Sequence, residues 1–246
     1  MKAGKVWPQR VVRRALFAIP FCMLFNALVI VLIMAYSNGM LDDWMNSESL
    51  EEISSAAFIS IVFIAYVFLA FFYQLCLGAV KRLGHDFRIA FYIGWIYVIS
   101  RIITILVYGY LYATPPEMVN KSDLNFVPIL QASGQLEYLM NILDGVIIIL
   151  LLHGFETLLP EKEDSTVRRV IQVFRWVSVL WVTYLGAALL TTMSFMDDAV
   201  WLRRITRPYT ENYILAFTLQ DIVSFAVLLT GTLWLRKKEA VSATAA

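Results

Sequence analysis

The sequence predicts an all-α integral membrane protein, a bundle of six transmembrane helices arranged as three helical hairpins. Of the 246 residues, 60% are hydrophobic and 16% are charged, whereas soluble domains carry about a quarter charged residues. Three runs contain no Asp, Glu, Lys or Arg: 15–41, 53–80 and 176–196. Each run supplies the roughly 20 apolar residues with which a helix crosses a bilayer. A basic patch follows each predicted hairpin, near Lys81, Lys162 and Lys237, as is typical of membrane-flanking segments.

Six apolar segments define the helices, which we place at about 14–36, 55–80, 88–112, 136–158, 170–195 and 212–235. The first follows a basic N-terminus but is longer than a signal-peptide core, so we expect it to be retained. The second lies within a charge-free run, and the fifth overlaps another over residues 176–195. The third, fourth and sixth each contain one midspan charge, at Arg101, Asp144 and Asp221. Six spans of about 23 residues leave only short loops, so residues 1–246 are predicted to form a single transmembrane domain.

Most Lys and Arg residues fall on one side of the predicted bundle. Fourteen lie in the terminal segments and in the 2–3 and 4–5 connections, against four in the 3–4 and 5–6 connections. Because segments rich in Lys and Arg stay in the cytoplasm, we predict that both termini are cytoplasmic. The expected location is the inner membrane of a bacterial cell. The net charge of +1 gives no field that would favour nucleic acid as a partner.

Three charged residues are predicted to meet in the middle of the membrane. At about 1.5 Å of rise per residue, Arg101 lies roughly 16 Å from the outer end of its helix, Asp144 roughly 12 Å and Asp221 roughly 14 Å. A lone charge at this depth costs at least about 2.5–3.5 kcal/mol, so we expect all three to face the bundle interior. An arginine can bridge two carboxylates. The predicted site is therefore an Arg101–Asp144–Asp221 cluster with an excess of one negative charge.

Further polar side chains lie at a similar depth and form a predicted supporting layer: Asn26, Tyr66, Asn141, Tyr184 and Gln220. Two functional interpretations of the cluster and its layer stay open. The groups could respond to a proton or a small cation, or they could hold the helices in register as structural contacts. A polar cavity that reaches the aspartates would favour the first interpretation.

A second polar group is predicted near the inner surface. His153 and Glu156 are three residues apart and share one helix face, and Arg175 on the next helix lies at a depth from which it can pair with Glu156. One His-x-x-Glu pair does not complete a metal site, so we predict a salt bridge and no metal. Cys22 and Cys76 both fall in apolar segments and are expected to be packing residues.

The function predicted from these features is that of a small transporter or channel-like protein with a proton- or cation-responsive cluster. The alternative is a non-catalytic structural or accessory subunit of a larger membrane complex. No nucleotide-binding, metalloprotease or serine-hydrolase motif occurs in the chain, so neither an enzymatic activity nor a cofactor is predicted. The expected partners are the lipid bilayer and either further copies of the chain or other membrane subunits.

Overall fold

The computed structural model describes residues 9–37, 51–113, 123–159, 165–191 and 218–234. Within these ranges the chain forms six α-helices: α1 (Gln9–Ser37), α2 (Glu51–Val80), α3 (His85–Ala113), α4 (Asp123–Leu158), α5 (Ser165–Thr191) and α6 (Thr218–Trp234). The prediction of an all-α protein is confirmed. Of the basic residues of the terminal segments, Lys2, Lys5 and 236–238 lie outside the described residues. The predicted orientation stays a prediction.

Four of the helices contain a segment long and apolar enough to cross a membrane. These segments are Arg10–Val29, His85–Leu106, Tyr138–Leu158 and Thr166–Leu190. Two shorter apolar helical segments, Ile64–Val80 and Thr218–Trp234, lie in α2 and α6. The protein is therefore a membrane protein with four candidate spans among its described residues.

The largest departure from the predicted helices is at the start of α4. This helix begins at Asp123 rather than near residue 136 and runs for 36 residues, about 54 Å. The predicted boundary corresponds instead to the start of the apolar span at Tyr138. Polar residues before the span do not stop a helix, and Pro128 near the N-terminus removes few intrahelical hydrogen bonds. Similarly, α5 begins at Ser165 rather than near residue 170.

Neighbouring helices in the chain pack against each other from α1 through α5, so that α3 contacts α2 and α4 alike. The centre of the core lies on α4, where five side chains are completely buried: Ile147, Ile148, Leu151, Leu152 and Phe155. Gly154 permits a close approach there, because a Cβ atom at this position would lie 2.6 Å from the Phe87 ring. The α3–α4 contact is thus as much a part of the core as the contacts within each predicted hairpin.

Helix α6 contacts α1, the first helix of this series, and also α4 and α5 at its other end. The Phe225 ring packs edge-on against Phe21 of α1, with 5.4 Å between the ring centroids. On its other side, Gly231 lies against Phe155 and Ile171 of α4 and α5. The helices therefore surround a common interior, to which α1, α2, α3, α4 and α6 each contribute polar groups.

A proline in α1 determines one polar contact with α6. Pro20 lies inside α1 and has no N–H group, so the carbonyl of Leu16 loses its usual intrahelical donor. The Thr232 hydroxyl lies 3.5 Å from this carbonyl oxygen and also donates to the carbonyl of Leu228 at 2.8 Å. Threonine side chains of adjacent helices commonly compensate a proline in a membrane in this way.

Candidate functional site

A pocket between five helices contains the three predicted charges. The contributing residues recur at helical spacing, three, four or seven apart on α1, α2 and α3, which places them on one face of each helix. The lining residues are Cys22, Met23, Asn26, Tyr66, Leu69, Ala70, Tyr73, Tyr97, Arg101, Asp144 and Asp221. The free space in the pocket is about 20 Å³, which holds about one water-sized particle.

The Arg101 guanidinium is held by two tyrosines. Its Nε and Nη2 atoms donate to the Tyr97 hydroxyl at 3.1 and 2.7 Å, because residues four apart on α3 share a face. Its Cζ atom also lies over the Tyr66 ring, 4.5 Å from the centroid. A cation over an aromatic face gains about 2 kcal/mol when desolvated. The positive charge therefore has a fixed position and orientation in the pocket.

Asn26 connects Arg101 to Asp221. The Arg101 Nη2 donates to Asn26 Oδ1 at 3.2 Å, and Asn26 Nδ2 donates to Asp221 Oδ2 at 2.6 Å. The Asp221 side chain is deeply buried, with 3% of the residue exposed. We expected the guanidinium to contact both carboxylates directly; instead, an amide on α1 relays the contact between α3 and α6. An amide suits this position because it can accept from a cation and donate to an anion at once.

Asp144 lies on another wall of the same pocket. It is half-buried, and its carboxyl group interacts electrostatically with Arg101 and with Asp221. One guanidinium and two carboxyl groups give the pocket a formal charge of −1 when both carboxyls are ionised. Two acids of like charge in a confined space favour binding of a proton or another cation at one of them.

Tyr73 is the polar residue of the pocket with an unmet hydrogen-bonding requirement. Only 5% of the Tyr73 surface is exposed, and the hydroxyl has no hydrogen-bond partner among the described residues. Its ring packs edge-on against Tyr97, with centroids 6.4 Å apart. Neither Tyr73 nor Tyr97 was predicted from the sequence, because a tyrosine in an apolar helix carries no charge that marks it.

The other members of the predicted supporting layer do not line this pocket. Gln220 accepts a hydrogen bond from the Trp181 indole, and Tyr184 stacks on Trp181 with centroids 5.6 Å apart. These residues form a separate polar contact between α5 and α6. Asn141 is half-buried on α4 and likewise lies outside the pocket lining. The layer is therefore divided, and Asn26 and Tyr66 are the members that face the charges.

The inner-surface group contains one salt bridge and one contact between a histidine and a carboxyl group. Arg175 Nη1 contacts Glu156 Oε2 at 2.5 Å, and Gln172 donates to the other carboxylate oxygen at 2.6 Å. His153 contacts α3 instead, where its Nδ1 atom lies 3.0 Å from an oxygen of Asp86. We had grouped His153 with Glu156 because of their spacing. The structure gives each a different partner, so that the two pairs connect α4 to α5 and α4 to α3.

Two thiols lie beside the charge pocket. Cys22 and Cys76 are both buried and free, and they lie on the neighbouring helices α1 and α2. Among the described residues, no group of three or more His, Cys, Asp or Glu side chains could hold a metal ion. The pocket itself combines a fixed guanidinium, two carboxyl groups and three phenols. No family model matches the chain, and neither a curated protein nor a solved structure does.

Proposed function

We propose that the protein is a small transporter or channel-like protein in which the Arg101–Asp144–Asp221 cluster responds to a proton or a small cation. In this proposal all six helices cross the membrane, both termini are cytoplasmic, and the location is the inner membrane of a bacterial cell. The asymmetric distribution of Lys and Arg supports that orientation.

The observation that carries the proposal is the pocket that Arg101, Asp144 and Asp221 line together. In a purely structural cluster each buried charge would be expected to have a direct partner of opposite charge. Here Asp144 is half-buried at the pocket wall, while Arg101 is held by tyrosines and an asparagine. An ionisable group near the middle of a membrane that faces a cavity is typical of an ion or proton pathway.

A role as an accessory subunit of a larger complex, or as a homo-oligomer, is the second candidate. Helix α5 supports it, because the helix turns large apolar side chains outwards, including Val173, Trp176 and Leu180 at 64%, 62% and 71% exposure. Lipid or a neighbouring subunit could cover this surface. Purification in mild detergent, followed by a mass measurement of the intact particle, distinguishes a monomer from an assembly.

The transport proposal is tested by ion flux into proteoliposomes. A potassium gradient with valinomycin sets the membrane potential, and an enclosed dye reports pH or sodium. We expect the wild type to conduct, and we expect Asp144→Asn and Asp221→Asn to reduce flux to the level of protein-free vesicles. Each substitution removes a carboxylate while it keeps the side-chain volume.

The matched control is Asp86→Asn, which makes the same change outside the pocket, in the pair with His153. Its flux should equal that of the wild type. Wild-type flux in both pocket variants would eliminate the cluster as the ion-responsive element. Absence of flux in the wild type, together with a stable complex with another membrane protein, would favour the subunit role.

A further inference from the structure

Three basic residues occur where the chain passes from α2 into α3, and we call them the basic turn. Lys81 and Arg82 follow the end of α2, and Arg88 lies in the first turn of α3. The Lys81 ammonium lies over the Phe91 ring, 4.2 Å from its centroid. Phe91 is also a neighbour of Arg88 on the surface of α3, because the two are three residues apart. The cations of both helices therefore meet at this ring.

No acidic side chain of the described residues forms a salt bridge with the basic turn. Arg82 and Arg88 are exposed. Asp86 is the one acidic residue in the stretch 81–88, but residues two apart on a helix do not face each other. The Asp86 carboxyl group contacts His153 of α4 instead. The basic turn therefore keeps a local excess of positive charge.

The Phe91 ring has a fixed position between α2 and α3. Gly78 of α2 leaves room for it, since a Cβ atom there would lie 3.3 Å from the ring. The Gln74 amide donates to the Phe91 carbonyl at 2.9 Å, and the Trp95 ring packs edge-on, with centroids 6.5 Å apart. The Lys81 ammonium is thus held on a rigid surface, which lowers the entropy cost of binding an anion there.

An exposed apolar strip continues along α3 from the basic turn. Tyr92 and Trp95 follow Arg88 by four and seven residues and are 62% and 43% exposed, and Ile99 and Ile103 extend the same face. From Tyr92 to Ile103 the helix rises about 17 Å, close to the roughly 15 Å of hydrocarbon in one leaflet. Cations, aromatic rings and aliphatic side chains thus follow each other as headgroup, interface and acyl chains do in a phospholipid.

We propose that this surface binds one anionic phospholipid, with its phosphate at the basic turn and an acyl chain along Tyr92, Trp95 and Ile99. Arginine and lysine bind phosphate through charge-assisted hydrogen bonds. A soluble anion would leave the apolar strip without a partner. A second copy in the same membrane orientation would bring its own basic turn against this one, and like charges would oppose that contact. The site lies apart from the charge pocket and does not depend on transport.

Native mass spectrometry of the purified full-length protein tests the charge requirement. The protein is loaded with equal amounts of phosphatidylglycerol and phosphatidylcholine that carry the same acyl chains. We expect phosphatidylglycerol to be retained in preference. Each substitution should reduce its retention about fivefold, the factor for one basic residue near an anionic lipid surface: Lys81→Gln, Arg82→Gln and Arg88→Gln. Circular dichroism checks that the variants keep their helices.

The matched control is Arg169→Gln, which makes the same change on α5. Arg169 is also exposed, but its neighbour Arg168 donates to the Glu156 carbonyl at 3.4 Å. Three acidic residues precede it closely in the sequence, at 161, 163 and 164. Because Arg169 lacks the excess of positive charge found at the basic turn, its replacement should leave lipid retention unchanged.

Tryptophan fluorescence locates the bound lipid. The emission of Trp95, obtained as the difference between the wild type and Trp95→Phe, should be quenched more by phosphatidylglycerol with brominated acyl chains than by brominated phosphatidylcholine. This preference should disappear in Arg88→Gln. The same difference for Trp176, which is exposed on α5, should show equal quenching by the two lipids.

Equal retention of both lipids by the wild type would overturn the proposal. A loss in Arg169→Gln as large as that in Arg88→Gln would do so too, because charge would then act without a site. Complete displacement of phosphatidylglycerol by inorganic phosphate would assign the basic turn to a soluble anion and refute the lipid. Preferential quenching at Trp176 rather than Trp95 would place the lipid on α5 and refute the site on α3.

Discussion

Replacing Asn26 by alanine tests the connection between the two charges it links. The amide accepts from Arg101 at 3.2 Å and donates to Asp221 at 2.6 Å, so Asn26→Ala leaves both a cation and a buried carboxylate short of one partner. Hydrogen bonds to charged groups contribute about 1.5–3 kcal/mol each. Interhelical polar contacts in membrane bundles measure at most about 1.7 kcal/mol, because the unfolded chain in the membrane also finds partners.

Two such contacts give an expected loss of about 1–3 kcal/mol in the free energy of unfolding. The assay is denaturation by dodecyl sulfate in mixed micelles, followed by circular dichroism. The matched control is Leu28→Ala on the same helix, where the side chain is 49% exposed and the change should stay within about 0.5 kcal/mol. If Asn26→Ala also loses less than about 0.5 kcal/mol, the amide does not hold the charges together. A double-mutant cycle with Asp221→Asn should give a coupling energy of about 1 kcal/mol or more.

Two further substitutions test the contacts between helices in the same assay. Thr232→Val removes the hydroxyl near the Leu16 carbonyl, and we expect a loss of about 0.5–1.5 kcal/mol. The loss should become smaller in a Pro20→Ala background, because residue 20 then donates to that carbonyl itself; an equal loss in both backgrounds would contradict the account. Gly94→Ala places a methyl group against the Gln74 side chain, and overpacking should cost about 1–3 kcal/mol. A cost that does not fall in a Gln74→Ala background would show that the strain arises elsewhere.

The sequence locates the charges along the membrane normal but not around the helix axes. Depth follows from the rise per residue and from the cost of exposing a charge to lipid. This reasoning predicts a common interior position for Arg101, Asp144 and Asp221, and the structure places all three around one pocket. Gln220 and Tyr184 lie at a similar depth, yet they belong to the contact between α5 and α6. Their direction depends on how each helix is rotated against its neighbours, which packing decides.

The tyrosines of the pocket show a second limit of sequence reasoning. Among twelve tyrosines, Tyr73 and Tyr97 acquire their roles from Arg101 and from the helices that bury them. Tyr97 lies four residues before Arg101, and this spacing could have identified it, since residues so spaced share a helix face. Tyr73 offers no comparable signal, because its importance lies in a hydrogen bond that its neighbours do not supply. Helix ends were predicted least well, and α4 shows why: hydropathy marks the apolar span, whereas the helix continues beyond it.

Helix α4 is long, and Asp144 lies between its N-terminal part and the part that is buried in the core. The 21 residues from Asp123 to that position span about 32 Å, while the buried residues beyond it are fixed in the core. A rotation of the N-terminal part of α4 by about 10° about Asp144 would move its end at Asp123 by about 5 Å. Conversely, a displacement of the N-terminal end of α4 would move the Asp144 carboxyl group by only a fraction of an ångström. The strength of polar interactions changes with shifts of that size. A movement of the N-terminal end of α4 would therefore change the interactions of the Asp144 carboxyl group.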